Sequence, residues 1–476
     1  MTIDNWLYEG VNWLDRDYAA AAADAGAFVY STPDEASRLV RSKLHSYMIY
    51  CRRFSPFWRE RWPREAEAFA ADEAEDVLAL LPRLTKEDLR RHAPELRIDP
   101  AQRSDWDGYP PLRHLHAQHS GGSTGVPVIV WQDRRWESRN RAIVDLGYRL
   151  AGLSPGSPAF YLWGSNNEVS DIRKSPRKRF STWLRGLIVM PAFSLDAARV
   201  RAYVDEMNRR GDVQHAICFT SALDTFTGFV ERAGLRLRRI RTVFTGGGLL
   251  TPELRARTLR LWAHEVCDTY GARDAGLMAS ERPGAGALLT FPWHVYLETL
   301  DAQGRRSAAG VAGEVHVSQV ENHAMALLRM SMGDSATLGR TPEWNGPSLT
   351  ALHGRTAEHL QAGDGSRIDP SAIIHMIGVL AERTWLRKFQ LVQTGPSALT
   401  LRFETWTEPP AGDEAAFGTF VRSGLERLFH APVTLALERT ESIAPSPSGK
   451  HLYCVNRHGA RPAEREAGAA PGGEAG

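Results

Sequence analysis

Near the carboxyl end, Pro445-Ser446-Pro447-Ser448-Gly449-Lys450 sets one lysine on a short Pro/Ser/Gly turn, after the β-like run 433–438. Prolines stiffen one side of such a turn and the glycine frees the other, so it can hold a mobile ammonium at a fixed place without packing it away. By itself this is an exposed lysine. Three upstream segments supply what a nucleotide needs: a Gly/Ser/Thr loop, an acidic metal candidate, and an acidic residue beside a glycine. The loop is Ser120-Gly121-Gly122-Ser123-Thr124-Gly125-Val126-Pro127, followed by a strand candidate over 128–131. Glycines let successive backbone N–H groups converge on one anion, and the hydroxyls of Ser123 and Thr124 add donors, which is the physics of a phosphate cradle. No Gly-Lys-Ser/Thr closes the loop and a strand follows it, so it is not a Walker loop.

The same residues match G-x-S-x-G with Ser123 as a nucleophile. A nucleophile elbow needs a strand before and a helix after, whereas the polar His116-Ala117-Gln118-His119 precedes and β-branched residues follow. A second match, Gly152-Leu153-Ser154-Pro155-Gly156, fails because the residue after the nucleophile must donate its N–H to the oxyanion and Pro155 has none.

Farther on, Phe244-Thr245-Gly246-Gly247-Gly248 ends a strand candidate with three glycines, where something planar or another backbone can approach closely. Thr251 occupies the place of the third glycine of a dinucleotide fingerprint, and a plain strand-to-helix turn is the competing reading. In 268–276, read as one loop, an adenine can stack on Tyr270, Gly271 gives flexibility, and Asp274 can hold a magnesium ion that bridges phosphates. Asp334, just past Gly333, is suited to accept both hydroxyls of a ribose, and Arg355 offers a guanidinium after Gly354. Each of these alone is more often a surface ion pair.

The elements that must position these residues change character along the chain. Residues 19–93 carry Ala-rich helical spacing with a helix entry at Thr85-Lys86-Glu87-Asp88, a helical lead-in. After Gly125, β-rich runs at 128–131, 159–163, 216–219 and 242–244 alternate with helical stretches at 196–210 and 252–264, the pattern of an α/β sheet. Runs at 313–318 and 336–338 suggest a smaller β-rich subdomain. From residue 355 the order is a helix over 368–380, a hairpin of 389–392 with 399–403, a helix over 415–428 and a strand over 433–437. The expected domains are 1–354, a large body with helical lead-in and β-rich subdomain, and 355–460, a small mobile α+β domain. The boundary is set at Gly354-Arg355 in a polar connection, and the Ala/Gly/Glu/Pro-rich residues 461–476 form a disordered tail.

At 476 residues with 43% hydrophobic content the chain can bury more than one core. A formal charge of +2 leaves no global footprint for nucleic acid, so any phosphate binding is local. Neither a signal peptide nor a membrane-length apolar run is present in the sequence, and Cys51, Cys218, Cys267 and Cys454 are scattered without CxxC spacing, which fits a reduced, cytoplasmic setting without zinc. The run Arg173-Lys174-Ser175-Pro176-Arg177-Lys178-Arg179 can meet the phosphates of coenzyme A or an acidic carrier, with a solvated loop as the commoner reading. His116, His119 and His294 lack spacing that demands a catalytic role.

In order, residues 120–127, 270–276, 329–334, 354–355 and 449–450 resemble the successive motifs of the adenylate-forming enzymes. Ser55-Pro56-Phe57-Trp58, Leu81-Pro82-Arg83-Leu84-Thr85-Lys86 and Thr245-Gly246-Gly247 resemble those of the phenylacetate-CoA ligase branch. The resemblance spans nearly the whole chain. It implies that a carboxylic acid, aromatic or similarly small, attacks the α-phosphate of ATP to give acyl-AMP and pyrophosphate, and that a thiol then takes the acyl group. Coenzyme A is the acceptor implied, with an amine or a carrier-protein thiol as variants; a non-catalytic nucleotide-binding scaffold is the alternative of another class. On matching positions Ser123, Thr124 and Gly125 would hold the β/γ-phosphates, Gly246, Gly247 and Gly248 with Tyr270 and Gly271 the adenine, and Asp274 the Mg2+. Asp334 would take the ribose with Arg355 beside it, and Lys450 would bridge the substrate carboxylate and the α-phosphate on a domain that rotates between half-reactions. The chain departs from the family pattern at Asp274 and Gly248, each usually Glu, at Val126, often Lys, and at Ala357, usually acidic; Ala279-Ser280-Glu281 stand where some relatives place zinc cysteines.

Overall fold

The computed structural model describes residues 3–103, 112, 114–119, 128–163, 172, 174–192, 195–355, 360–363, 367–368, 370, 373, 376–377, 381, 383, 385–444 and 451–458. They form two compact units: one holds the residues up to Met332 and Ala336–Leu352, the other Gly333–Ser335 and everything from His353 on. The tail at 461–476 and most of the helix expected over 368–380 lie outside the described residues.

The helical lead-in comprises α1 (Ile3–Trp13), α2 (Arg16–Val29), α3 (Pro33–Phe54), α4 (Pro56–Arg61), α5 (Ala74–Leu80), α6 (Lys86–Arg91) and α7 (Ala93–Leu96). Its starts are written locally. Thr32 and Glu35 form a reciprocal capping box with Pro33 in the first turn of α3, and Thr85 with Asp88 does the same for α6. Two buried tyrosines tie this region to α8 (Arg134–Leu150): the Tyr8 and Tyr18 hydroxyls donate to Asp145 Oδ2 at 2.9 and 2.8 Å. Burial raises the Asp145 carboxyl above the usual range, and those two hydroxyls oppose the shift.

Strands β1 (His116–His119) and β2 (Ile129–Gln132) form a separate antiparallel ribbon. The main sheet has eleven strands among the described residues. Its parallel half is built from β3 (Ala159–Leu162), β4 (Leu187–Met190), β5 (His215–Phe219), β6 (Ile240–Gly246) and β7 (Ala263–Ala272). The crossing helices are α9 (Pro176–Leu184), α10 (Ala197–Arg209), α11 (Thr220–Arg232) and α12 (Pro252–Leu261). Every residue of β5 is buried, as expected of a strand covered on both faces. Val200, Val204 and Met207 of α10 and Leu223, Phe226 and Val230 of α11 join the core over this half. The helix expected to reach residue 264 ends at Leu261, because Ala263 already pairs with Ile240 as the first residue of β7.

The remaining strands are β8 (Gly276–Glu281), β9 (Leu288–Thr290), β10 (Tyr296–Leu300), β11 (Ala312–Ser318), β12 (Met330–Arg340) and β13 (Pro347–Arg355). The order across the sheet is β10-β11-β12-β13-β9-β8-β7-β6-β5-β3-β4, so the β-rich stretch of the sequence is the half of this same sheet beyond β7. Gly354 and Arg355, expected in a polar connection, are the last two residues of β13, and Gly354 stands there at φ +82°, which only glycine adopts without strain.

The lead-in helices grip the connection between β11 and β12. Tyr47 donates to the carbonyls of Asn322 and Met325 at 3.0 Å, Tyr50 to His323 at 2.7 Å and Trp58 to Ala326 at 2.9 Å. Arg329 closes that connection at φ +49° and only 2% exposed. Its guanidinium donates to Glu298 at 2.6 Å and to the carbonyls of Ala79, Leu81 and Gly304 at 3.0, 2.6 and 3.1 Å.

In the second unit, β14 (Leu360–Gln361) pairs with β15 (Arg367–Ile368). A four-stranded sheet of β16 (Leu386–Gln393), β17 (Ala398–Thr405), β18 (Thr434–Arg439) and β19 (Cys454–Asn456) runs in the order β18-β17-β16-β19. On it lies α13 (Asp413–Phe429), burying Phe417, Val421 and Leu425. Trp385, Phe403 and Phe417 pack with ring centroids 5.2 to 6.1 Å apart.

Removing one partner of a buried charge pair costs about 3–5 kcal/mol. Arg329→Ala leaves Glu298, among the described residues, with the Arg306 guanidinium at 3.4 Å as its ion-pair partner, and strips a donor from three carbonyls. The unfolding free energy obtained from urea titration should fall by about 3–5 kcal/mol, and a loss below about 1 kcal/mol would show that the guanidinium does not clamp the lead-in to the sheet.

Candidate active site

The parallel half of the sheet fixes where a ligand can lie, because the carboxyl ends of parallel strands open onto a crevice lined by their loops. There Phe219, Gly246 and Thr269 are register partners on β5, β6 and β7. A Cβ at Gly246 would collide with Thr269 Oγ1, and one at Gly247, which turns the chain at φ +79°, would collide with the Phe219 ring. Thr220 and Thr269 lock the turn. Thr220 Oγ1 bonds Thr245 Oγ1 at 2.9 Å and lies 3.1 and 3.2 Å from the carbonyls of Gly246 and Gly248, while Thr269 Oγ1 donates to the Thr245 carbonyl at 2.7 Å. Thr251 then caps α12 by accepting from Leu254 N–H. The triple glycine is thus both a strand-to-helix turn and a rigid one.

The segment 268–276 is a hairpin, not a loop. Tyr270 and Gly271 stand on β7, with a bulge between them, and Gly276 opens β8. Gly276, at φ +73° with Asn140 Oδ1 standing where its Cβ would be, permits so tight a reversal, and Leu277 N–H donates to the same oxygen at 3.0 Å. Tyr270 is half-buried against the core. The Asp274 carbonyl accepts from Gln319 Nε2 at 2.6 Å and the Arg273 carbonyl from Gln132 Nε2 at 3.2 Å, so the tip is bolted down. Among the described residues no group of three His, Cys, Asp or Glu could cage a metal. One carboxylate at a fixed tip suits Mg2+, which binds through one or two carboxylates and substrate phosphates.

Asp268 escaped the sequence reading. It sits on β7 two residues before Tyr270, buried, and its carboxyl is pushed up to about 8, first by burial and then by the charge of Glu281. Its own N–H donates to Glu281 Oε2 at 2.9 Å, and Arg255 donates to the same oxygen at 2.7 Å. Thr269 N–H donates to Asp268 Oδ1 at 3.0 Å. A lone acid between Cys267 and Thr269 in a β-rich run was the available signal.

Gly246, Gly247, Gly248, Tyr270, Gly271 and Asp274 are therefore brought to the ends and connections of adjacent strands of one unit. Asp334 is on β12, one residue past Gly333 at φ +69°, in the short segment that groups with the second unit. Arg355 closes β13. Ser123, Thr124, Gly125 and Lys450 lie outside the described residues. On either side of the lysine turn the second unit is anchored: Ile443 N–H donates to Glu404 at 2.7 Å, His451 Nε2 lies 2.8 Å from the Phe389 carbonyl, and Gln390 donates to the Leu452 carbonyl at 3.0 Å.

The competing motifs find structural explanations. Ser154 precedes a strand, β3, where an elbow serine must follow one. His294 is buried with its imidazole held down to about 3, by burial and then by Arg139 and Lys43, so it stays neutral inside the body. His116 lies 3.2 Å from Glu137, and the His119 side chain lies outside the described residues. All four cysteines are buried and none is in a disulfide. The basic run is not a loop: Ser175 caps α9 by accepting from Lys178 N–H, and Arg177 to Arg179 occupy its first turn.

This architecture is the fold of the AMP-forming acyl-CoA ligases, the adenylate-forming enzymes. Similar solved structures include 2-hydroxyisobutyryl-CoA ligase in the postadenylation state with R3-HIB-AMP (TM-score 0.64, 17% identity, 93% of each chain covered). Others are the anthranilate CoA ligase AuaEII with anthranoyl-AMP (0.52, 14%, 70% of this chain and 64% of that one) and ATP-bound MatB from Rhodopseudomonas palustris (0.50, 13%, 71% and 66%). No protein-family model and no curated protein matches the sequence.

Asp268 holds a proton in the folded protein between pH 3.8 and about 8, a window in which the unfolded chain has lost it. Stability is therefore largest below the unfolded value and falls as pH rises through that window. Asp268→Asn removes this loss, so its thermal midpoint relative to the parent should climb from pH 5 to pH 8. A difference that stays constant over that range would place the carboxyl in water.

Proposed function

We propose that this protein activates a small carboxylic acid with ATP, forming acyl-AMP and pyrophosphate, and passes the acyl group to the thiol of coenzyme A. One observation carries the reading. The glycine turn ending β6 and the Tyr270 end of β7 stand in register at the carboxyl edge of a sheet whose fold, over 93% of the chain, is that of an acyl-AMP-forming ligase. Two of these neighbour structures hold acyl-adenylates and MatB holds ATP, and an open form of the 2-hydroxyisobutyryl-CoA ligase is in complex with 2-HIB-AMP and coenzyme A. We place the chain in the phenylacetate-CoA ligase-like branch on its Thr245-Gly246-Gly247 and 81–86 residues.

In this reading the locked turn of Gly246 to Gly248 presents a flat backbone edge to the adenine, and Tyr270 with Gly271 closes its other side. Ser123, Thr124 and Gly125 bind the β/γ-phosphates through N–H and hydroxyl donors. Asp334 accepts from the ribose hydroxyls, with Arg355 beside it. Asp274 would hold Mg2+, which when bound neutralises phosphate charge. Lys450 would bridge the acid's carboxylate and the α-phosphate and oppose the charge that develops as the carboxylate oxygen bonds to phosphorus and the pyrophosphate oxygen leaves. Residues 355–460 act as the domain that carries Lys450 to and from this position.

The test is acid-dependent exchange of labelled pyrophosphate into ATP over a panel of aryl and short aliphatic acids. At least one acid should support exchange, and Lys450→Ala should lower its rate by about 10²–10³-fold, the usual cost of one aimed donor. No exchange with any acid would favour a nucleotide-binding scaffold, for which the altered positions Asp274, Val126, Gly248 and Ala357 speak. Exchange indifferent to Lys450→Ala would remove the lysine from the chemistry.

A further inference from the structure

The exposed face of α9 combines a run of cations with two bare aromatic rings. Lys174, Arg177, Lys178 and Arg179 are all exposed, and no Asp or Glu occurs between Asp171 and Asp196. Immediately after them Phe180 and Trp183, one helical turn apart, are 57% and 56% exposed, with ring centroids 5.7 Å apart and planes tilted by 35°. Both features carry a local cost. Cations in a first turn oppose the helix macrodipole, which favours acids there. Two adjacent aromatic rings left in water forgo the burial that large rings usually find. Local rules broken together in one short helix mark a surface that serves a ligand.

Topology says where this surface lies. β3 and β4 are parallel neighbours, and β4 is the outermost strand of its edge. α9 ends with two residues between it and the amino end of β4 and packs against that strand, so its start lies toward the carboxyl ends. That is the side of the Gly246 to Gly248 turn. The cationic turn therefore stands on the rim of the candidate active site, at the sheet's β4 edge.

We infer that α9 is the subsite for the nucleotide end of coenzyme A. Lys174, Arg177, Lys178 and Arg179 would pair with its 3′-phosphate and pyrophosphate, and its adenine would stack on the exposed Trp183 and Phe180 pair. The inference rests on the proposed transfer to a thiol, and it adds what residues hold the acceptor. Several charge-assisted contacts to phosphate and one aromatic platform match a ligand that carries both chemistries at one end. A membrane surface fits less well, since two rings on a nine-residue helix fall short of the apolar stripe that an interfacial helix buries.

The test compares coenzyme A, dephospho-coenzyme A and pantetheine as acceptors, with an acid that supports exchange. The parent should use coenzyme A with a far lower KM than pantetheine. The charge-reversed variant Arg177→Glu/Lys178→Glu/Arg179→Glu places acids in a first turn, which favours the helix, so it should fold. Its KM for coenzyme A should rise by about 10-fold or more, as lost charge-assisted bonds require. Its KM for pantetheine and its pyrophosphate exchange should not change, and Trp183→Ala should shift the same KM in the same direction. Equal KM values for coenzyme A and pantetheine in the parent, or a coenzyme A KM unmoved by charge reversal, would overturn the subsite. Should no acid support exchange, the adenylation reading fails by itself, and equilibrium dialysis of coenzyme A against parent and charge-reversed protein decides the subsite. Saturable binding lost on reversal upholds it, and binding that is absent or unaffected by reversal refutes it.

Discussion

Three parallel strands end side by side, and their ends are so close that no side chain fits at two consecutive positions. Gly246 yields to Thr269 and Gly247 to the ring of Phe219. With Thr220 and Thr269 tying down the carbonyls around them, the turn cannot relax into another shape without breaking several buried hydrogen bonds at once. A rigid backbone edge of this kind is what recognition of a flat ring requires, because the cost of ordering it is met during folding and not on binding. The Tyr270 strand inherits its position from the same pairing, and the Asp274 tip follows from Tyr270 through a hairpin that Gly276 and Asn140 make tight.

The rest of the larger unit keeps that edge in place, and it does so with satisfied polar groups as much as with apolar burial. Tyr47, Tyr50 and Trp58 bury their rings and aim their polar tips at the carbonyls between β11 and β12. Arg329 finishes this connection in a left-handed conformation, uncommon for a long side chain, that its bonds to Glu298 and three carbonyls overdetermine. Asp145 is likewise buried but holds two tyrosine hydroxyls. Asp268 differs from these. Its neighbour Glu281 raises its carboxyl further, and it pairs with Thr245, the residue before the glycine turn. Buried acids whose neighbours push them away from ionisation gather at functional sites, and Asp268 has that physical signature.

Much of this was legible in the sequence where the signal is local. Runs at 159–163, 216–219 and 242–244 are strands because β-branched and aromatic residues between turn signals are enough, and the caps at Thr32 and Thr85 give helix starts. What was hidden depends on distant partners. The runs at 313–318 and 336–338 carry no mark of belonging to the same sheet as the parallel strands, since pairing across β7 to β13 joins segments far apart in the chain. Tyr270 reads as loop because Gly271 and Gly276 flank it, yet pairing with β8 overrides that local signal. The basic run reads as a solvated loop because cations are poor company at a helix start; Ser175 and Pro176 were the cues that a helix begins there.

Gly248 shows how a departure from the resembled pattern can be weighed. Packing accounts for Gly246 and Gly247, where any side chain would run into a neighbour. At Gly248 an added Cβ would meet Thr220 Cβ at 3.2 Å and nothing closer, a contact that a small shift of one side chain relieves. The φ there is not left-handed either, since Gly247 alone of the three takes the positive value. Glycine at 248 is therefore not imposed by the fold. A carboxylate there would add negative charge at the edge of the turn. Its absence leaves the turn without an acid of its own, while Glu265 and Asp268 on β7, Asp274 at the hairpin tip and Glu281 on β8 remain. The change thus alters the charge of the turn and leaves its shape as Thr220 and Thr269 set it.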